Sequence, residues 1–161
     1  MTTFRVGMGQ DSHPFDKNQN KPCVIGGVHV EGVPGLRGHS DGDVVVHALC
    51  AAIEQALGRT NFSTYADEMC KSGITDSLSY LAVAMEHLRA DGYAVNNVGI
   101  SIEALKPKIL PIEDKMKNTL AQAMDVDVSC IGINATTGEG LTAFGRGEGV
   151  QAFVMISIIK K

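Results

Sequence analysis

The strongest constraint on the fold is a run of apolar residues at helical spacing that stops at Gly58. These positions are Val44, Ala48, Leu49, Ala52, Ile53, Ala56 and Leu57. The spacing predicts one amphipathic helix that starts at Ser40 or Asp41, with either side chain as its cap, and ends at Leu57. Because such a helix must bury its apolar face, the chain has to supply a sheet or further helices around it.

Strand-like alternation occurs on both sides of this helix. Strands are predicted at residues 4–8, 98–102, 130–134 and 152–159, and residues 23–30 form either a hairpin around Gly26-Gly27 or one bulged strand. One further helix opens at Thr75-Asp76 and closes at Gly92. Another begins at Leu110-Pro111 and turns Met116, Leu120 and Met124 inward. Interleaved strands and helices predict an α+β fold, an α/β sandwich with a mixed β-sheet and its helices on one face.

Length and composition exclude several classes of protein. The 161 residues suit a single domain, 1–161. Fourteen basic against 18 acidic residues, without a basic stripe, argue against nucleic-acid binding. No apolar run reaches the ~18 residues of a membrane span, and no export segment is visible. The four cysteines form no CxxC pair and are interpreted as reduced, buried thiols. We therefore expect a cytoplasmic protein.

Two polar clusters place carboxylates and imidazoles where a metal ion could bind. Asp11 and His13 are two residues apart at the end of the first strand, so both side chains point to one face. After His39, the spacing puts Asp43 and His47 on one face of the helix's first turns. Asp11, His13 and His47 would supply three ligands and leave a fourth position open, as in a catalytic zinc site. The alternatives are a turn-capping Asp beside a surface His, and a core histidine satisfied within the helix.

A glycine-rich segment, residues 135–149, follows a predicted strand. Such a loop lets backbone N–H groups approach phosphate oxygens, and Thr136, Thr137 and Arg146 add donors. Glu139 among these donors suggests a hard cation such as Mg²⁺. The alternative is a flexible surface loop.

Residues 104–110 also follow a predicted strand and precede a helix. Two lysines and exposed backbone at a helix N-terminus can hold an anion or a base edge. The alternative is a plain proline-containing connection with solvated lysines.

Together these motifs resemble the 2-C-methyl-D-erythritol 2,4-cyclodiphosphate synthase family. The resemblance rests on Asp11-x-His13, His39-Ser-Asp-Gly-Asp43-x-x-x-His47, Pro107-Lys108-x-Leu-Pro111, Ala135-Thr-Thr-x-Glu139 and Gly145-Arg-Gly-Glu-Gly149. It implies conversion of 4-diphosphocytidyl-2-C-methyl-D-erythritol 2-phosphate into the cyclic diphosphate and CMP, in the non-mevalonate isoprenoid pathway. It also implies a homotrimer with active sites between subunits. The protein is implied to be located in the cytoplasm or in a plastid-type organelle.

The resemblance assigns roles to individual residues. Asp11, His13 and His47 are implied to hold Zn²⁺ or another divalent transition metal, and Glu139 to hold Mg²⁺ or Mn²⁺ with the substrate diphosphate. His39 and Thr137 are implied to stabilise the developing charge. The substrate-binding residues implied are Asp11, His13, His39, Ser40, Asp67, Ala104, Leu105, Lys106, Pro107, Lys108, Ile109, Leu110, Ala135, Thr136, Thr137, Gly138, Glu139 and Arg146.

The chain departs from the usual family pattern after the first predicted helix. Residues 58–67 read as a loop in which Arg59 stands where an aspartate is usual, and Asp67 is implied to replace a later acidic residue. Gly140 replaces a common lysine, and Gln10 an aromatic residue. Two other functions stay open: a metal-bound trimer that binds cytidine nucleotides or isoprenoid diphosphates without turnover, and a plain metallophosphohydrolase.

Overall fold

A four-stranded mixed sheet forms the backbone of the fold. The computed structural model describes residues 3–18 and 20–161. The described residues form six strands, of which four make up this sheet and β2 and β3 form a separate pair. They are β1 (Phe4–Pro14), β2 (Pro22–Ile25), β3 (Val28–Pro34), β4 (Tyr93–Glu103), β5 (Ile131–Thr136) and β6 (Gly149–Lys160). The sheet order is β1-β6-β4-β5, with β4 and β5 parallel and the other pairs antiparallel. The predicted mixed sheet is confirmed, and β2 and β3 form the hairpin alternative rather than one bulged strand.

Four α-helices cover one face of this sheet. They are α1 (Val44–Leu57), α2 (Ser63–Lys71), α3 (Ser77–Ala90) and α4 (Glu113–Met124), with short 3₁₀ turns at Leu110–Ile112, Val128–Cys130 and Gly138–Gly140. α1 lies centrally against β1 and β6, and α3 packs against α1. Buried residues from all four helices and the sheet form one continuous core, including the predicted Met116, Leu120 and Met124. Within the described ranges, no helix is long and apolar enough to cross a membrane.

Two sequence predictions about helices are wrong. The first helix begins at Val44, and its cap is Asp43 instead of Ser40 or Asp41. The predicted 58–67 loop contains the start of α2, which turns Ala66 into the core. Arg59 lies in the short turn before α2 and pairs with Asp91, with 3.1 Å between Nη2 and Oδ1.

All four cysteines are free thiols, as predicted. Cys23 and Cys50 are fully buried, as predicted, but the prediction of burial is wrong for Cys70 and Cys130, which are half-buried. Burial raises the pKa of Cys23 to about 11, with a smaller contribution from Asp43. This thiol is therefore neutral and acts as a small apolar side chain.

Two glycines allow α1 to lie unusually close to β1. A Cβ at Gly9 would fall 1.9 Å from the carbonyl oxygen of Ala48, and one at Gly7 would fall 2.0 Å from that of Ala52. Both obstacles are helix backbone, so no side-chain rotation can relieve the clash. Because Ala48 directly follows His47, this close approach also brings His47 near Asp11 at the end of β1.

We expect Gly9→Ala to lower the free energy of unfolding by about 3 kcal/mol, at the upper end of the cost of overpacking. The added methyl group must push α1 away from the sheet. Denaturant unfolding measures the effect, with Gln10→Ala at the neighbouring exposed position as the control. Equal unfolding midpoints for Gly9→Ala and the unmodified chain would contradict this interpretation.

The other face of the sheet carries exposed apolar side chains. Along β1 these are Phe4, Val6 and Met8, and along β6 they are Phe153 and Met155. Alternate residues of a strand point to opposite faces, so this apolar row lies on the side away from α1. A contiguous apolar surface of this kind is typical of an interface with another chain.

Candidate active site

Three of the predicted ligands converge where β1 passes the start of α1. Asp11 Oδ2 lies 3.0 Å from His13 Nε2 and 3.0 Å from His47 Nδ1. The ligand atoms offered by the three residues all lie within 4.8 Å of one another. One carboxylate oxygen and two imidazole nitrogens at this spacing can hold one divalent cation.

Hydrogen bonds and charges shift the pKa values of Asp11 and His13. Burial of Asp11 acts to raise its pKa, but its hydrogen bonds to His13 and His47 prevail and hold that pKa at about 2. The bond to Asp11 raises the pKa of His13, although burial acts against this shift. On its other side, His13 Nδ1 lies 2.6 Å from the carbonyl oxygen of Arg37. Since a carbonyl only accepts, Nδ1 carries a hydrogen that is committed to Arg37. Nε2 donates to Asp11 when no cation is bound, and it is the nitrogen that becomes the ligand atom when a cation displaces that hydrogen.

Asp43 does not share a face with His47, contrary to the prediction. Its carboxylate accepts the backbone N–H groups of Val45 and Val46 at 3.1 Å, and turns towards the β2–β3 hairpin. There it also accepts the N–H groups of Gly26 and Gly27 at 2.9 and 2.6 Å. Burial raises the pKa of Asp43, and the glycine N–H groups oppose that rise. Asp43 therefore joins the hairpin to α1 and lies outside the metal cluster.

His39 and Ser40 lie in the connection between β3 and α1. Lys21 holds this connection, since its Nζ donates to the carbonyl oxygens of Gly38 at 3.1 Å and Ser40 at 2.6 Å. His39 itself is exposed. Lys21 was not predicted from the sequence, because no local pattern indicates a contact between residues 17 to 19 positions apart.

A cavity of about 210 Å³ connects the metal cluster to α2. His39, Ser40 and Asp67 line it, as do Phe62 and Cys70. The structure therefore brings Asp67 to the same cavity as His39. Phe62 was not predicted, and its ring lies 5.4 Å from that of His47.

The predicted phosphate loop follows β5. Gly138–Gly140 form a 3₁₀ turn, and the Gly138 N–H donates to Thr136 Oγ1 at 3.1 Å. Glu139 adopts a φ of +50°, in the left-handed region that a residue with a side chain rarely occupies. Its side chain is exposed beside Thr137. Arg146 is engaged elsewhere, because its Nε donates to Glu148 Oε1 at 2.9 Å.

Residues 104–110 pack directly against this loop. The N–H of Ala104 donates to the carbonyl of Thr136, and the N–H of Leu105 donates to that of Phe144, both at 3.0 Å. Lys106 and Lys108 are exposed. The two segments predicted to bind the nucleotide are therefore adjacent in the fold.

Asp11 of the metal cluster and Ala135 at the start of the predicted phosphate loop lie on strands at opposite edges of the sheet. Asp11 pairs with Ala152, Ala152 with Ile102, and Ile102 with Ala135, which places all four in one row. Three steps between neighbouring strands, at about 4.8 Å each, separate the two ends of the row by about 14 Å. Asp11 and Ala135 are therefore not in contact within one chain, although the end of the glycine-rich segment, at Glu148, reaches β1 beside His13.

A family comparison matches nearly the whole chain. The YgbB family model covers residues 4–159. A 2-C-methyl-D-erythritol 2,4-cyclodiphosphate synthase from Chlamydia felis is 42% identical over 159 residues, which cover 98% of this chain and 90% of that protein. A protein of the same name from Chlamydia trachomatis serovar L2 is also 42% identical and covers 98% of this chain and 89% of its own length.

Solved structures share the fold. The IspF–CDP complex from Plasmodium falciparum has a TM-score of 0.87 and 27% identity, covering 100% of this chain and 99% of that one. The bifunctional IspDF from Campylobacter jejuni has a TM-score of 0.92 and 31% identity, covering 100% of this chain and 43% of that one. A CDP-bound form of a 2C-methyl-D-erythritol-2,4-cyclodiphosphate synthase has a TM-score of 0.83 and 27% identity, covering 94% of this chain and 98% of that one.

Proposed function

Because the chain belongs to the YgbB family, we propose that it is a phosphorus–oxygen lyase that makes 2-C-methyl-D-erythritol 2,4-cyclodiphosphate. In this reaction the 2-phosphate oxygen of 4-diphosphocytidyl-2-C-methyl-D-erythritol 2-phosphate bonds to the β-phosphorus. The bond from that phosphorus to the bridging oxygen breaks, and CMP leaves. The substrate is a small, water-soluble nucleotide, which supports the predicted location in the cytoplasm or a plastid-type organelle.

The convergence of Asp11, His13 and His47 is the observation that carries this proposal. One carboxylate and two neutral imidazoles are the donor set of a catalytic zinc site, and the three side chains leave a further position for a substrate oxygen. The contact from His13 Nδ1 to the Arg37 carbonyl supports the fit, since it leaves Nε2 as the ligand atom. When bound, a divalent cation here supplies Lewis-acid polarisation of a phosphate oxygen.

The chain's own residues orient the substrate and accept the charge that develops. His39 and Ser40 border the cavity beside the metal cluster, where they can contact the erythritol and the reacting phosphate. Thr137 offers a hydroxyl donor on the loop, and the carboxylate of Glu139 can share a second divalent cation with the diphosphate. Residues 104–110 offer exposed lysines and backbone groups for the cytidine nucleotide.

We further propose that the single domain, residues 1–161, works as one third of a homotrimer. Asp11 and Ala135 are about 14 Å apart across one sheet, which supports a site shared between the metal cluster of one copy and residues 135–139 of a neighbour. The exposed apolar row on β1 and β6 supports an assembly of copies.

Mixing two inactive variants tests this arrangement. His47→Ala damages only the metal half, and Glu139→Gln damages only the loop half. In a one-to-one co-expressed mixture, about a quarter of the interfaces combine two intact halves, so about a quarter of the normal activity should return. Activity no greater than that of either variant alone would contradict a shared site.

The reaction itself is tested with the purified protein, the diphosphocytidyl substrate and Mg²⁺. We expect CMP and the cyclic diphosphate in equal amounts. Absence of CMP would contradict the proposal and favour a binding protein without turnover. Linear phosphate products would favour a metallophosphohydrolase.

A further inference from the structure

His47 makes a second polar contact on the side facing away from Asp11. Its Nε2 lies 2.8 Å from Ser77 Oγ, at the first residue of α3. The Ser77 hydroxyl in turn donates to Asp41 Oδ1. Ser77 is fully buried, and His47 is only 8% exposed. These contacts form a continuous chain from Asp41 through Ser77 to His47, and on to Asp11.

Asp41 is held as an acceptor by several donors. Its Oδ2 accepts the N–H of Ser77 at 2.9 Å, and its Oδ1 accepts the N–H of Asp43 at 3.1 Å as well as the Ser77 hydroxyl. An ionised carboxylate accepts hydrogen bonds and donates none. The hydrogen of the Ser77 hydroxyl is therefore committed to Asp41.

The commitment of that hydrogen fixes the direction of the next bond. The Ser77 oxygen can only accept from His47, so Nε2 must be the donor and carry a hydrogen. Ser40 Oγ, 3.3 Å from Nε2, accepts the N–H of Gly42 and offers a second, weaker acceptor. Nδ1 faces Asp11 and donates to that carboxylate when no cation is bound. When a cation takes the place of that hydrogen, Nε2 keeps its hydrogen on Ser77 and Nδ1 offers its lone pair.

We propose that Asp41 and Ser77 are positioning residues for the candidate metal centre, holding the His47 ring with Nδ1 directed at the metal. This inference rests on the proposed function, because it presumes that the triad binds a cation. His13 is held in the same way by a backbone carbonyl. The two imidazoles thus have equivalent supports, one from the backbone of Arg37 and one from the Asp41–Ser77 pair.

Burial strengthens the hydrogen bonds that join Asp41, Ser77 and His47. A hydrogen bond in a water-free environment is electrostatically stronger than one at the surface, and the loss of one partner leaves the other unsatisfied. Outer hydrogen-bond partners of metal-bound histidines commonly account for 10- to 100-fold of metal affinity. Without Ser77 Oγ, the ring can rotate and Nδ1 is no longer directed at the metal.

The test measures zinc affinity by competition with a chromogenic chelator. We expect Ser77→Ala to raise the zinc Kd by about 10- to 100-fold, and Ser77→Thr, which retains a hydroxyl, to restore most of the affinity. Ser79→Ala removes a hydroxyl from the same helix that does not bond to Asp41 or His47, and it should leave the zinc Kd unchanged. Asp41→Asn provides a second variant, because an amide nitrogen that cannot accept replaces one of the two carboxylate oxygens that accept from Ser77 and from the backbone N–H of Asp43. It should also raise the zinc Kd, and an unchanged Kd would overturn the role of Asp41.

A second readout separates positioning from general loss of stability. In the zinc-loaded protein, the His47 Nε2–H should give a slowly exchanging proton resonance in NMR spectra, and Ser77→Ala should abolish or broaden it. A merely structural role for Ser77 would lower the unfolding midpoint and leave this resonance and the zinc Kd in place.

The outcomes distinguish this inference from the proposed function. If the unmodified protein binds no zinc, both are overturned. If it binds zinc and makes the cyclic diphosphate while Ser77→Ala binds zinc equally well, only the role of Asp41 and Ser77 is overturned.

Discussion

His47→Ala is expected to lose the bound metal and, with it, all detectable cyclisation. The substitution removes one of the three ligand atoms that lie within 4.8 Å of one another. Because loss of an outer hydrogen-bond partner already weakens metal binding by 10- to 100-fold, loss of the ligand itself should weaken it by more than about 100-fold. Metal analysis of the purified protein should find about one zinc per chain in the unmodified protein and only a small fraction in the variant.

The control separates loss of a ligand from loss of the fold. His29→Ala removes an exposed imidazole on β3 and should retain both zinc and activity. His47→Ala removes the hydrogen bond from Nε2 to the Ser77 oxygen, which still donates to Asp41. Loss of one such bond costs about 0.5–1.5 kcal/mol, which circular dichroism and thermal unfolding can measure. A folded His47→Ala protein with full metal content would refute the triad.

The metal cluster could be predicted from the sequence because each ligand follows from a local period. Asp11 and His13 are two residues apart on a strand, which puts both on one face. His47 belongs to a helix whose apolar spacing is unambiguous. The residue that caps the helix was harder to predict, because Asp41 and Asp43 are both suitable cap residues. Tertiary contacts decide between them, since the hairpin N–H groups of Gly26 and Gly27 select Asp43.

Helix α2 could not be predicted from local pattern. Ala66 is its only buried residue, so it has no apolar stripe of the usual width. Its packing depends on distant partners: the Tyr65 ring lies 5.5 Å from that of His87 on α3, edge to face. Residues this far apart in sequence leave no periodic signal, although α2 supplies Asp67 and borders the candidate site.

The separation of the two half-sites also lies beyond local patterns. The sequence shows that Asp11 and Ala135 both stand near strand ends, but it does not give the strand order. Only the order β1-β6-β4-β5 places two strands between them. The resemblance to a family implied a shared site, and the strand order, which separates Asp11 from Ala135, supports that proposal.

The second large effect is expected for Glu139→Gln, which should lower kcat by about 10²- to 10³-fold, the range for loss of one group that stabilises transition-state charge. Glu139 holds a φ of +50°, a conformation that costs a residue with a side chain about 1–2 kcal/mol. Strain of this kind is tolerated where a side chain must be presented in one direction, here outward beside Thr137.

Glutamine keeps the shape and the backbone strain but removes the negative charge, so the loss should appear as a failure to use Mg²⁺ and not as unfolding. CMP binding measured by calorimetry without added metal should stay within about two-fold of normal, because the proposed nucleotide-binding residues 104–110 keep their N–H donors and lysines. Glu148→Gln, an exposed glutamate of the same loop paired with Arg146, should leave both kcat and the Mg²⁺ dependence intact. Equal losses in the two glutamine variants would assign the effect to loop charge in general. A normal Mg²⁺ response in Glu139→Gln would remove Glu139 from the metal-binding residues.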